Sequence, residues 1–196
     1  MYATIYDSPI GKLLLYADGS ALTGVLFEGE TLKRQSIEGV RSLWVRHGDA
    51  DVSVCTDRTE RQGYEGFFIE AESAILTETK RWLDRYFSGK APGMLPSIRI
   101  EGTTFQREVL TLLLDIPYGE TTTYGALAQR IAATRGVSRM SARAVGGAVG
   151  RNEIAVLVPC HRVIGADGSL TGYSGGLEKK IALLRLEGID LGGRTK

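Results

Sequence analysis

The stretch Val156-Leu157-Val158-Pro159-Cys160-His161-Arg162-Val163-Ile164-Gly165 places three chemically active side chains inside an apolar run. A thiol reacts as the thiolate, and a neighbouring cation or proton acceptor favours that form. The alternative is a buried structural cysteine, because free cysteine is among the most buried residue types. Pro159 fixes its own backbone and favours an extended residue before it, so we expect the chain to enter a pocket extended and to turn at Cys160.

Composition limits the class of protein. The 196 residues are 43% hydrophobic and 24% charged, which is typical of a globular protein of one or two domains, with no apolar run long enough to span a bilayer. The N-terminus has neither a basic segment nor an apolar segment of a secretory signal. The two cysteines, Cys55 and Cys160, do not make a disulfide framework. These features predict a cytoplasmic protein with no membrane partner.

The charges are unevenly distributed along the chain. Residues 1–96 carry 11 basic and 14 acidic side chains, whereas residues 97–196 carry 13 basic and 9 acidic ones. Between residues 124 and 162, six arginines face one acid, Glu153. Arginine suits phosphate recognition better than lysine, although a solvated basic face has the same composition.

The first half predicts a small domain with an antiparallel sheet and a helix. Residues 2–6, 12–17 and 22–28 favour strands and are separated by turn residues, which predicts a meander. Residues 29–70 have no clean period, and we expect Cys55 to be a half-buried strand residue. Helical spacing begins near residue 71 and stops after residue 87, and residues 89–96 are the predicted linker.

The second half predicts four helices, at residues 105–116, 124–132, 140–149 and 177–188. The second and third are short and joined by a glycine-containing turn, which indicates a helix-turn-helix. Small residues around Arg143 would allow close approach of a partner. Residues 165–176 form a glycine-rich loop that lacks the Lys-Ser/Thr of a phosphate-binding loop, and we expect it to cover a pocket. The predicted fold class is therefore α/β (α+β), with an N-terminal domain at 1–92 and a mainly helical C-terminal domain at 97–191.

A nucleophilic thiol needs a proton acceptor and a group that orients it. Adjacent side chains diverge, so a water molecule between Cys160 and His161 is more plausible than a direct hydrogen bond. A distant carboxylate would orient the imidazole, and the sequence offers both Glu187 and Asp167.

The motifs resemble those of the O6-alkylguanine–DNA alkyltransferases, also called methylated-DNA–protein-cysteine methyltransferases. The resemblance covers nearly all of the C-terminal half and the Ser8-Pro9-Ile10-Gly11 turn of the first domain. Its motifs are Phe105-Gln106, Ile116-Pro117-Tyr118-Gly119-Glu120-Thr121, Tyr124, Arg143-Ala144-Val145-Gly146-Gly147-Ala148, Asn152, Pro159-Cys160-His161-Arg162-Val163-Ile164-Gly165 and Tyr173-Ser174-Gly175-Gly176.

The resemblance implies a monomer that removes alkyl groups from O6 of guanine, or also from O4 of thymine, in double-stranded DNA, with neither cofactor nor metal. The base would flip out of the duplex, the helix-turn-helix would dock in the minor groove, and each molecule would react once. The implied catalytic residues are Tyr124, Asn152, Cys160, His161 and Glu187. The implied DNA-binding residues are Thr123, Ala142, Arg143, Ala144, Gly146 and Arg151. The implied base pocket consists of Val158, Pro159, Tyr173, Ser174 and Gly175.

Three departures from the family pattern stand out, of which the first is that the zinc ligands found in the first domain of some members are missing, so we expect no metal. The loop at residues 133–138 is longer than in the shortest members, and Glu153 replaces the usual proline after Asn152. Two other hypotheses compete with the resemblance: a lesion sensor that binds DNA without chemistry, and a cysteine hydrolase or redox enzyme. The first would lack the acceptor cysteine, and the second would leave the arginine-bearing helix unexplained.

Overall fold

The structure is a computed structural model that describes residues 2–28, 42–47, 50–55, 66–67, 69–70 and 73–192. The chain divides into two compact units, Met1–Arg99 and Ile100–Lys196. In the described ranges, no helix has the length and apolar character needed to cross a membrane. The α+β class predicted from the sequence is confirmed.

The first unit is built on strands whose turns are encoded locally. The strands β1 (Tyr2–Ser8), β2 (Gly11–Ala17) and β3 (Leu22–Phe27) pair antiparallel, with Ser8 opposite Gly11 across a tight turn. Gly11 has φ of 113°, a left-handed value that glycine adopts without steric cost. The predicted meander is confirmed, although β1 continues two residues further than expected and β3 ends at Phe27.

Four further strands lie in the region where no period predicted an element. They are β4 (Ser42–His47), β5 (Ala50–Cys55), β6 (Gly66–Phe67) and β7 (Ile69–Glu70). β7 adds parallel to β1, giving the order β3-β2-β1-β7, and a second sheet has the order β5-β4-β6. Cys55 ends β5, as predicted for a strand residue, but its burial lies outside the described side chains.

Helix α1 (Ala74–Phe87) is the last element of the first unit along the chain. It begins after Ser73, whose side chain accepts the Leu76 backbone N–H, and therefore starts three residues later than the spacing predicted. One face is buried, as the apolar spacing requires. Its buried residues are Ile75, Leu76, Thr79, Trp82, Leu83 and Tyr86.

The second unit contains the four predicted helices, with boundaries set by their caps. The elements are α2 (Thr104–Leu113), β8 (Thr122–Thr123), α3 (Tyr124–Arg135), α4 (Ala142–Val149), β9 (Val163–Ile164) and α5 (Leu177–Leu186). The predicted end of α2 at residue 116 is wrong because the chain leaves the helix in tight turns, in which Ile116 N–H bonds to Leu113 O. The predicted end of α5 at residue 188 is also wrong, since Glu187 is already the C-cap.

The connection between α3 and α4 differs from the predicted loop at residues 133–138. Helix α3 continues to Arg135, whose guanidinium pairs with Glu108 and lies over the ring of Phe105, and Gly136 ends it in the left-handed conformation. Helix α4 begins at Ala142 rather than at residue 140, because the Ser141 side chain caps it. Helix α3 therefore takes in residues 133–135, which the sequence predicted to lie in the loop.

A two-stranded parallel pair positions the site. Thr122 lies opposite Val163 and Thr123 opposite Ile164. The pairing sets the start of α3 beside the segment that follows Cys160, a long-range contact that no local pattern predicts.

Candidate active site

The chain before Cys160 is a series of tight turns. Leu157 N–H bonds to Ala155 O at 2.8 Å and Cys160 N–H bonds to Val158 O at 2.8 Å. Val156, which lies between Ala155 and Leu157, has φ of 70°, a value that β-branched residues rarely adopt. Pro159, with φ of −82° and ψ of 61°, forms an inverse γ-turn.

The prediction of an extended entry to the pocket is therefore wrong. The physical reason is that hydrogen bonds among residues 154–160, together with the one that Asn152 donates to Val158 O, fold the segment into turns, whereas the preference that Pro159 imposes acts on Val158 alone.

Asn152 lies inside these turns and contacts both their backbone and the thiol. Its side-chain NH2 donates to Val158 O at 2.8 Å and to Cys160 Sγ at 3.0 Å, and its Oδ1 accepts Ile154 N–H at 3.0 Å. The side chain is buried. The side-chain amide of Asn152 thus fixes the path of the chain and also donates to Sγ of Cys160, the predicted nucleophile.

Cys160, His161 and Arg162 form a single buried turn of 3-10 helix. His161 is fully buried, and its Nε2 lies 2.7 Å from Glu187 Oε1. Asp167, the other carboxylate left open by the sequence, is exposed and bonds to Ser169. Of the two, Glu187 is the one placed against the imidazole. Since Nε2 is committed to Glu187, a proton coming from Cys160 would be taken up at Nδ1.

The carboxylate of Glu187 is held by several donors at once. Arg162 donates from Nε to Oε2 at 2.8 Å and from Nη2 to Oε1 at 3.0 Å, and Gly119 N–H reaches Oε2 at 3.2 Å. Burial acts to raise the pKa of Glu187, but the hydrogen bonds from His161 and Arg162 outweigh it and lower the pKa to about 2. Glu187 is therefore a carboxylate at neutral pH.

The imidazole of His161 experiences opposing effects. Burial lowers its pKa below the ordinary 6.5, Glu187 acts to raise it, and the charges of Arg162 and Lys180 lower it further. The net direction is downward, so the imidazole is neutral and able to accept a proton at neutral pH.

Lys180 is a residue that sequence reasoning missed. It is fully buried on α5, where its Nζ donates to Val163 O at 2.6 Å and to Thr171 O at 2.9 Å. Burial lowers its pKa to about 8, while the nearby Cys160 acts to raise it. The available signal was its spacing, because Lys180 stands seven residues before Glu187 and therefore on the same helix face.

Tyr124 reaches the site from the first turn of α3. Its half-buried hydroxyl bonds to Thr171 O at 3.5 Å, and burial together with the charge of Cys160 raises its pKa, against an opposing hydrogen bond at Thr171. A Cβ built on Gly146 would stand 3.5 Å from the Tyr124 ring. That is an ordinary van der Waals distance, so the Tyr124 ring packs closely against α4 at Gly146.

The remaining predicted pocket residues are distributed around the turn and the glycine-rich loop. Val158 and the flanking Pro159 are buried, whereas Tyr173, Ser174 and Gly175 are half-buried. The Tyr173 ring stands edge-on to His161, with centroids 6.5 Å apart. The loop and the imidazole are therefore close neighbours.

The six arginines of residues 124–162 separate into two groups. Arg130 pairs with Asp115 at 2.7 Å, Arg135 pairs with Glu108 at 2.8 Å and Arg162 pairs with Glu187. The other three are exposed and have no ion pair among the residues the structure describes: Arg139, Arg143 and Arg151.

The predicted contact surface of the helix-turn-helix is also accessible. Ala142 and Ala144 flank Arg143 on the exposed side of α4, and Arg151 follows the helix, with a 3.3 Å bond to Gly147 O. Thr123 instead caps α3 by accepting Ala126 N–H. In the described part of the chain, no three side chains of the metal-ligating types are grouped to hold an ion.

Fold and site together describe a two-unit α+β protein with a buried cysteine, a His–Glu pair and a helix-turn-helix. Residues 1–93 match the ribonuclease-like domain of 6-O-methylguanine DNA methyltransferase, and residues 104–189 match its DNA binding domain. The methylated-DNA–protein-cysteine methyltransferase of Methanosarcina acetivorans is 40% identical, over 96% of this chain and 99% of its own length. The chain belongs to this family.

Further relatives agree. The methylated-DNA–protein-cysteine methyltransferase of Mycobacterium leprae is 40% identical over 92% of this chain and 88% of its own. The crystal structure of Mycobacterium tuberculosis OGT in complex with DNA superposes with a TM-score of 0.69, at 36% identity, over 95% of this chain and 92% of that one.

Proposed function

We propose that this protein repairs DNA by direct reversal, moving an alkyl group from O6 of guanine to Sγ of Cys160. The observation that supports it most directly is the buried Cys160 turn, in which Asn152 contacts the sulfur and Glu187 holds His161. In the transfer, the bond from the alkyl carbon to Sγ forms while its bond to O6 breaks. The thiol proton moves through a water molecule to His161, and the freed guanine regains a proton.

The reaction is a single use of the protein. The product at Cys160 is a thioether, which has no easy route back to a thiol. Tyr124 is near enough for the charge of Cys160 to affect its pKa, and its hydroxyl would donate a proton to the departing guanine. Val158, Pro159, Tyr173, Ser174 and Gly175 would surround the base, and O4-alkylthymine is a second substrate that the same chemistry permits.

The substrate is double-stranded DNA with an alkylated base turned out of the helix. A buried thiol cannot reach O6 in line while the base is stacked, so flipping is a physical requirement. Arg143 would fill the gap left by the base, and α4 would lie in the minor groove. Ala142, Ala144 and Gly146 would allow close approach there, and Thr123 and Arg151 would contact the flanking phosphates.

The proposal also covers the domain bounds, the oligomeric state and the location of the protein. Residues 1–92 form the N-terminal domain and residues 97–191 the domain that binds DNA and accepts the alkyl group. The protein acts as a monomer in the cytoplasm, without cofactor or metal.

The direct test uses duplex DNA that contains one O6-methylguanine. We expect the base to be restored and one methyl group to appear on the peptide that contains Cys160 by mass spectrometry. Cys160→Ser should bind the duplex but transfer nothing, whereas the matched Cys55→Ser should react like the wild type. Methyl transfer that survives in Cys160→Ser would contradict the proposal, and binding without transfer by the wild type would favour a lesion sensor.

A further inference from the structure

Arg162 adjoins the candidate nucleophile in sequence, but its guanidinium is directed at Glu187. Nε and Nη2 contact the two carboxylate oxygens, and Nη1 donates to Ile116 O at 2.7 Å. The side chain is buried, and its guanidinium lies 5.8 Å from the Tyr118 ring centroid. All three nitrogens thus have partners, and none of these partners is the thiol.

Glu187 Oε1 is shared between two donors. Arg162 Nη2 lies 3.0 Å away and His161 Nε2 lies 2.7 Å away. A buried carboxylate whose only partner is an imidazole gains by holding the imidazole as a cation, because an uncompensated buried charge is costly. Arginine stays protonated at every physiological pH, so here the compensating charge is already supplied.

The other groups that face His161 act in the same sense or carry no charge. Lys180 on α5 is a second cation that disfavours a charged imidazole, and Tyr173 on the glycine-rich loop presents its ring edge-on. Cys160 is the neighbour that must lose a proton. Among the described residues, Glu187 is the carboxylate placed against His161, and two nitrogens of Arg162 contact it.

We propose that Arg162 is a positioning residue for alkyl transfer, which neutralises Glu187 so that His161 is held in place but kept uncharged until it accepts the Cys160 proton. The inference rests on the proposed function for its chemical step. The proton leaves Sγ, passes through water to Nδ1, and gives an imidazolium whose Nε2–H remains on Glu187. Without Arg162, the imidazole would already hold that proton and could not accept another.

The first test concerns the wild-type protein alone. The chain has two histidines, so 15N-labelled histidine gives two ring systems, and His47→Gln identifies the signals of His161. At about pH 7.5 we expect His161 to be neutral, with its proton on Nε2. An imidazolium signal from His161 at this pH would overturn the inference, whether or not the protein transfers alkyl groups.

The second test compares two variants that differ in charge. Arg162→Gln can still donate one hydrogen bond to Glu187, whereas Arg162→Lys keeps the cation. We expect the pKa of His161 to rise by about one unit or more in Arg162→Gln and to change little in Arg162→Lys. An unchanged His161 titration in a folded Arg162→Gln protein would show that Arg162 acts only through packing. If Arg162→Gln does not fold, Arg162→Lys carries the test, because a retained cation should leave the pKa of His161 near its wild-type value and a large rise would contradict the inference.

Activity supplies a third readout. Protonation of His161 in Arg162→Gln should move the acidic limb of the transfer rate to higher pH. A one-unit shift predicts that the rate deficit relative to wild type is about tenfold larger on the acidic limb than on the alkaline plateau. A deficit that is equal at all pH values would contradict the inference. A wild type that transfers nothing would instead contradict the proposed function.

Discussion

Asn152→Ala should have a large effect on the site that can be worked out from its hydrogen bonds. Asn152 is the only asparagine in the chain, and its side chain makes a 2.8 Å bond to Val158 O, a 3.0 Å bond from Ile154 N–H and a 3.0 Å contact to Cys160 Sγ. Each such bond contributes about 1 kcal/mol net, and an abandoned buried N–H costs about 1–3 kcal/mol. We therefore expect a loss of about 3–5 kcal/mol, a large part of the 5–15 kcal/mol of a typical domain.

The assay must report on the second unit. Both tryptophans, Trp44 and Trp82, lie in residues 1–99, so their fluorescence follows the first unit and serves as an internal control. In a Cys55→Ser background, the only thiol is Cys160, which is buried. Its labelling by a thiol reagent across a urea series measures the opening of the second unit. We expect Asn152→Ala to shift this transition to lower urea and to leave the fluorescence transition in place.

Two controls sharpen the result. Arg151→Ala removes an exposed neighbour and should change the free energy of unfolding by less than about 0.5 kcal/mol. Asn152→Asp keeps the size and the acceptor for Ile154 N–H but loses the donor, so it should be destabilised at neutral pH. It should partly recover on acidification, when the protonated carboxyl can donate again. An Asn152→Ala transition within about 1 kcal/mol of wild type would refute the assigned hydrogen bonds.

Three further outcomes follow from the site. Arg143→Ala should react normally with free O6-benzylguanine but slowly with alkylated duplex, and equal losses in the two rate assays would exclude a role for Arg143 in flipping. In salt titrations of DNA binding, Arg139→Ala should lower the slope by about one, whereas Arg130→Ala, whose charge is paired with Asp115, should not. The free energy of unfolding should fall as the pH decreases from 4.5 towards 2, because the folded protein holds Glu187 as a carboxylate that the unfolded chain protonates. Glu187→Gln should flatten this part of the pH-dependence of denaturation, and an unchanged slope would contradict the pairing.

Elements encoded by neighbouring residues were predictable. The meander follows from strand-favouring runs separated by turns, and the start of α3 follows from the capping side chain of Thr123. The predicted end of α3 is three residues too early although Gly136 is a local stop signal, and contacts of Arg135 with Phe105 and Glu108 on α2 also stabilise the last turn. Among strands β4–β7, only the run that ends at Cys55 indicated a strand, because β4 does not alternate and β6 and β7 are two residues each.

In the site, too, features set by neighbouring residues were predictable, whereas features set by contacts between distant segments were not. Cys160 and His161 are adjacent in the chain, so their chemistry could be inferred from sequence. The residues alone left both Glu187 and Asp167 open, and only the family resemblance implied Glu187, because the choice depends on how α5 packs against the turn. Lys180 was missed since lysine is almost never fully buried, and only the packed helix shows that its amine is held by two backbone carbonyls.

The buried cysteine is held by two separate sets of interactions. Asn152 sets the position of the sulfur through uncharged hydrogen bonds, whereas the His161–Glu187–Arg162 cluster sets the protonation of its neighbour through charge. Changes to the first set should alter stability and rate together at every pH. Changes to Arg162 should alter the pH dependence of the rate. Among the described residues, no hydrogen bond joins Asn152 to Glu187 or Arg162, so a double variant of Asn152 and Arg162 should show nearly additive losses in transition-state free energy. Strong non-additivity between the two substitutions would mean that the turn sets the position of the thiol and the protonation of His161 together.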